Sequence, residues 1–193
     1  MKKLFYFLLA VILILSCKNK KNNNGDQEDG SFFPVLSFIK SQVANVDSSL
    51  YRIIKIVHKD SLADTIFLKR EEFKDAAKDF LSIPDISSEK LKDEYVETKL
   101  FDEDLEQVVL NYMPKKPDKE ITRQEVMIKP DNDGDKVKSI FIDRVNSNDD
   151  STVHKILFWQ VDKRFRTVTI TQVPNKPEKK ETIEVVWNDF PRQ

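Results

Sequence analysis

The sequence predicts an α+β domain: a curved antiparallel sheet of about 7–9 strands, with two helices from the N-terminal half packed on one face. Three observations carry this expectation. Two apolar stripes at helical spacing lie before residue 82. From Tyr95 onward, β-branched and aromatic runs alternate with turn-forming clusters. These connections are short, and short connections join antiparallel neighbours rather than parallel ones.

Pro34 suits the first turn of a helix, because its missing N–H would have no partner there anyway. Leu36, Ile39, Val43 and Val46 then recur on one helical face, which predicts a helix over 34–46. Residues 51–59 are rich in isoleucine and valine and read as a strand, followed by a second at 65–69. Phe73, Ala76, Ala77, Phe80 and Leu81 form the second helical stripe. Glu71 and Glu72 stand in its first turn, where the helix dipole favours negative charge. This helix should end near Ser82, since Pro84 pushes Ile83 away from helical geometry.

Further strands are predicted at 95–101, 106–113, 122–129, 136–145, 152–161, 164–173 and 181–188. Turn clusters separate them at 114–118, 131–135, 146–150 and 174–177. Asp162-Lys163 joins two strands so closely that a hairpin is the natural reading. Side chains alternate between the two faces of a strand. Val153, Leu157, Trp159 and Val161 therefore share one face, as do Val168 and Ile170, and as do Ile183, Val185 and Trp187.

Composition excludes several machineries. The three glycines are Gly25, Gly30 and Gly134, too few and too scattered for a phosphate-binding loop, a dinucleotide fingerprint or a nucleophile elbow. The one cysteine, Cys17, permits no intrachain disulfide and no cysteine-based zinc site. With 32 basic and 33 acidic side chains, the chain lacks the positive field of a nucleic-acid binder.

The N-terminus indicates a compartment. Lys2 and Lys3 precede an unbroken apolar run of twelve residues, Leu4 to Leu15. As a helix it would span about 18 Å, short of a bilayer core of roughly 30 Å but right for the apolar core of a signal peptide. It leads into Ile14-Leu15-Ser16-Cys17. This segment resembles the lipobox of bacterial lipoproteins. The resemblance implies removal of 1–16 and attachment of a diacylglycerol to the Cys17 thiol. Loss of Lys2 and Lys3 would leave 30 basic against 33 acidic side chains, so the mature surface is slightly acidic. Such a body has no electrostatic reason to lie on anionic lipid and should hang in aqueous space.

Residues 18–31 contain no apolar side chain and cannot offset their own ordering entropy, so 17–31 reads as a lipidated cysteine plus tether. Fourteen flexible residues reach about 20 Å on average. Lys18 directly after the cysteine resembles the class sorted to the outer membrane, where an aspartate would favour retention in the inner one. Whether the domain then faces the periplasm or the outside stays open. The folded domain is expected over 32–193, with Phe32-Phe33 docking on its own body.

No catalytic constellation emerges, and no cofactor or metal is expected. Counted from Asp131, the acidic loop 131–135 has glycine at position four and Ile142 at position twelve, which fails the EF-hand pattern and fits an Asp-Gly turn. His58 and His154 lie 96 residues apart without metal-ligand context. Asp102, Glu103, Asp104 and Glu106 read as a solvated turn. The densest informative patch runs from Phe158 to Arg166. Tryptophan and arginine are enriched in binding hot spots, which makes Phe158, Trp159, Arg164, Phe165 and Arg166 the candidate partner-binding residues. Strand alternation gives the rival reading, with Trp159 in the core and the arginines on a solvated face.

The late Phe158-Trp159, Arg164-Phe165 and Val185-Val186-Trp187-Asn188-Asp189 segments, in a chain rich in Lys, Asn and Ile, resemble envelope lipoproteins of Bacteroides-type bacteria. That implies an envelope location and no particular activity. The expected function is non-enzymatic: a lipid-anchored extracytoplasmic protein that binds an envelope protein partner or assists assembly. Two alternatives stand beside it. A carrier or sensor of an apolar small molecule would need a cavity of several hundred Å³ lined by Phe and Leu. A carboxylate-based hydrolase would need two convergent acids in a cleft.

Overall fold

The computed structural model describes residues 31–50, 52–59 and 62–188. The signal segment, Cys17 and all of the tether but Ser31 lie outside the described residues. The described residues from Phe32 to Asn188 fall in one compact unit.

Nine strands form a single antiparallel sheet among the described residues. They are β1 (Ile53–Lys59), β2 (Leu62–Leu68), β3 (Tyr95–Asp102), β4 (Gln107–Pro114), β5 (Ile121–Lys129), β6 (Lys136–Ser147), β7 (Thr152–Gln160), β8 (Arg164–Gln172) and β9 (Lys179–Val186). Strands β3 to β9 follow one another as a meander, as their short turns require. The β1–β2 hairpin then adds to β9, giving the order β2-β1-β9-β8-β7-β6-β5-β4-β3. Among the described residues strands β2 and β3 each have one neighbour, so the sheet is not closed. The β7–β8 connection is Val161-Asp162-Lys163, one residue longer than predicted. Asp162 takes φ 59°, a left-handed conformation that aspartate tolerates better than most residues.

Helix α1 (Val35–Ser48) matches the first apolar stripe, with Val35, Ile39, Val43 and Val46 buried. Pro34 stands at its N-cap. At the other end, Arg70 Nη1 donates to the Val46 carbonyl at 2.8 Å and to Ser49 Oγ at 3.1 Å. A guanidinium there adds to the bonds the Val46 carbonyl accepts from Ser49 and complements the negative end of the dipole. The second predicted helix is not continuous. A 3₁₀ turn (Arg70–Glu72), α2 (Phe73–Ala76) and α3 (Lys78–Leu81) replace it, broken where Ala77 has ψ 5°. Phe73, Ala77 and Phe80 are all fully buried, so tertiary packing overrides the local stripe here.

The helices cover one face of the sheet. Its inner rows run Leu110–Val126–Ile140–Trp159–Phe165–Val185 and Tyr112–Gln124–Ile142–Leu157–Thr167–Ile183. Phe73 and Phe80 pack edge-on against Trp159, at 6.5 and 5.2 Å between ring centroids. Lys155 on β7 bonds Asp79 on α3, and Arg144 Nη1 on β6 donates to Ser82 Oγ at 3.1 Å. These polar ties hold the short helical segments to the end of the inner face.

Phe32 and Phe33 dock on the body. Phe32 lies 4.9 Å from the Tyr112 ring, and the Phe33 N–H donates to Tyr112 Oη at 3.0 Å. Burial holds the Tyr112 phenol above the ordinary tyrosine range, with Glu97 adding to the effect. Burial, then the charge of Glu94, pushes Tyr95 up to about 12. Unfolded tyrosines ionise near pH ~10, so above that the unfolded chain releases protons that the folded chain retains. The stability these two phenols protect is complete below about pH 10 and falls as pH rises through about 12. Tyr112→Phe should cost about 1–2 kcal/mol near neutral pH, because it strands the Phe33 N–H. It should also flatten the alkaline loss. Urea unfolding midpoints near neutral pH and at about pH 11 test both effects. Identical midpoints for the two proteins would refute the role given to this phenol.

Candidate interaction face

The opposite, outer face of the sheet is the candidate site. Strand alternation places Phe141, Asp143 and Val145 of β6 there. His154, Ile156 and Phe158 of β7 lie beside them, with Arg166, Val168 and Ile170 of β8. The register packs them into a patch: Phe158 lies opposite both Phe141 and Arg166, and Ile156 opposite both Asp143 and Val168. His154 lies between Val145 and Ile170. The apolar members are half-buried, and none belongs to the buried core. The apolar character continues toward both edges, through Ile54, Ile56 and Phe67 on one side and Val109, Leu100 and Met113 on the other.

Charged groups surround this centre. The Arg123 guanidinium stands 4.5 Å over the Phe141 ring and 3.7 Å from Glu125. Arg164 donates to Gln160 Oε1 at 3.0 Å and to Glu184 Oε1 at 3.1 Å. His154 Nε2 pairs with Asp143 Oδ1. An apolar and aromatic centre inside a polar rim is the anatomy of a protein–protein interface.

The predicted partner-binding patch is divided between the two faces. Phe158, Arg164 and Arg166 lie outside, where a partner could reach them. Trp159 and Phe165 do not: both are fully buried, stacked 5.3 Å apart at 15° in the aromatic core. The physical reason is the two-residue period of a strand, which sends sequence neighbours to opposite faces. Cys17 lies outside the described residues. Sequence reasoning missed Phe141, Ile156 and Arg123. The signal was present, because the segments Ile140–Ile142 and Ile156–Trp159 are apolar at consecutive positions, as in strands buried on both sides. Here the helices cover only one side.

The remaining candidates are placed as follows. Asp131 is paired with Lys136, whose hydrogen bond holds its carboxyl below the usual carboxylate range, and Gly134 takes φ 114° in the turn. His58 and His154 share the outer face but stand on β1 and β7, three strand spacings apart and offset by two residues along the strands, roughly 16 Å in all. Glu103, Asp104 and Glu106 are exposed in the β3–β4 turn, while Asp102 Oδ1 accepts from the Leu105 N–H at 3.0 Å. Among the described residues, no cluster of three or more His, Cys, Asp or Glu could hold a metal. A groove of about 530 Å³ is lined by Phe38, Gln42, Lys136, Lys138, Gln160 and Asp162 among others. Another of about 370 Å³ includes Lys55, Glu72, Asp75, Lys78 and Asp79. The first is lined about equally by polar and apolar groups, and the second adds Leu68, Ala76 and Ile183 to its charged rim. The large core rings line neither: Phe73, Phe80 and Phe165 are packed into the aromatic cluster with the two tryptophans. Compared with known proteins, the chain matches no protein family, no curated protein and no solved structure.

Proposed function

We propose that this protein is a lipid-anchored, non-enzymatic protein of the bacterial envelope that binds a protein partner through the outer face of its sheet. The anchor is Cys17, and the tether lets the domain stand off the membrane, with the outer membrane as the expected site. One observation carries the binding role. On strands β6 to β8 the outer face carries Phe141, Val145, Ile156, Phe158, Val168 and Ile170 beside Asp143, His154 and Arg166, yet the helices pack on the other face. A contiguous apolar patch with a charged rim marks an interaction surface on a soluble domain. Phe158 sits at its centre, opposite Phe141, with Arg166 on its other side.

Co-purification from detergent-solubilised envelopes tests the reading. Phe158→Glu buries a charge in the proposed contact and should weaken capture of the wild-type partner by about 30-fold or more, the scale of a hot-spot residue. Undiminished capture by a folded Phe158→Glu chain would refute this face as the binding surface.

A further inference from the structure

We propose that strand β2 is a docking edge for a second copy of this chain, forming a two-fold dimer in which the two sheets join edge to edge. This inference concerns the backbone edge of the sheet and not the Phe141–Phe158 patch at the centre of the outer face, although Phe67 lies on that face too. Among the described residues strand β2 pairs with β1 alone, and its other side presents backbone groups that no described strand pairs. Its seven residues, Leu62-Ala-Asp-Thr-Ile-Phe-Leu68, hold one charge and no Lys, Pro or Gly. Edge strands that remain single are protected by such residues. Leu62 is 79% exposed and Phe67 65% exposed. The opposite edge, β3, carries Glu97, Lys99 and Asp102, with Lys99 and Glu97 paired at 3.4 Å.

The strand complements itself. The β1–β2 hairpin closes on the pair Lys59–Leu62, which directs the backbone of Leu62, Asp64, Ile66 and Leu68 toward β1. Ala63, Thr65 and Phe67 then point their N–H and C=O groups outward. An antiparallel two-fold centred on Thr65 joins these three to their counterparts through about six N–H···O bonds. In that register Phe67 meets Ala63 of the second copy, the largest side chain against the smallest. Leu62 meets Leu68, and Asp64 meets Ile66, so the only charge never faces its like. A foreign strand would have to reproduce this pattern, whereas a second copy supplies it. The pairing also closes, while β2 on β3 would propagate into an open filament.

The test uses the full chain in detergent. Light scattering should give twice the chain mass for the wild type. Thr65→Lys places like charges opposite each other on the two-fold axis, and should yield a monomer with an unchanged circular dichroism spectrum. Opposed Cα atoms about 5.5 Å apart suit a disulfide, so oxidation should cross-link Thr65→Cys far beyond the parent chain. Thr98→Cys, on the β3 edge, should stay at the parent level. A wild type that is monomeric up to about 0.1 mM would overturn the proposal. So would a dimer indifferent to Thr65→Lys, or Thr98→Cys linking as readily as Thr65→Cys.

Discussion

Replacing Trp159 by alanine is expected to destabilise the domain by about 3–5 kcal/mol. The indole is fully buried and touches four other rings: Phe73, Phe80, Phe165 and Trp187. Those rings come from α2, from α3, from β8 and from the segment after β9. Deleting the indole therefore leaves a cavity that no single element can close. Against a typical total of about 5–15 kcal/mol, the loss would leave the fold marginal. Trp159→Phe should cost substantially less. It keeps a ring on Phe165 and removes an Nε1–H that is buried without a protein acceptor. Urea unfolding of the two variants separates these effects. A cost below about 1 kcal/mol for Trp159→Ala would mean that the aromatic cluster is not the centre of the core.

Cys17→Ser is expected to abolish acyl-chain mass on the mature protein and to shift it from the membrane to the soluble fraction. Two or three acyl chains, at roughly 0.8 kcal/mol per buried methylene, hold a protein stably where a single chain binds only marginally. With residues 1–16 removed, 30 basic against 33 acidic side chains would give little net attraction to anionic lipid to replace the acyl chains. Mass spectrometry and envelope fractionation read the two effects separately. Unaltered mass together with unaltered fractionation would remove the lipoprotein assignment, and with it the envelope location of the proposed function. The outer-face patch would remain as an interaction surface of a protein in another compartment.

Much of the fold was legible in local patterns. Short turns such as Asp131–Asp135 and Asn146–Asp150 imposed antiparallel neighbours, so the run of strands from β3 to β9 could be read along the chain. Helix α1 was equally legible, because a single apolar stripe and one proline define it. The broken segment at Ala77 was not. Its stripe is helical, but two phenylalanines on either side of the break have to meet Trp159, and that requirement comes from β7. Half of the candidate site was legible for a similar reason. The Phe158–Arg166 segment showed its aromatic and basic content, but which member faces a partner depends on which face the helices cover.

The sequence by itself determined the strand succession, the first helix, the turn chemistry and the expectation of a lipid anchor at Cys17. Each of these depends on residues within about a dozen positions of one another, where backbone sterics and hydrophobic periodicity act directly. Only the tertiary structure decided that β9 pairs with β1, that Trp159 and Phe165 are core, and that Phe141 and Phe158 form one patch. It also decided that β2 and β3 are the open edges. These depend on contacts between segments up to about 130 residues apart, between Ile54 and Val186 for example. Two apolar faces on one strand look alike in sequence. The helices distinguish them by removing one face from water and leaving the other uncovered.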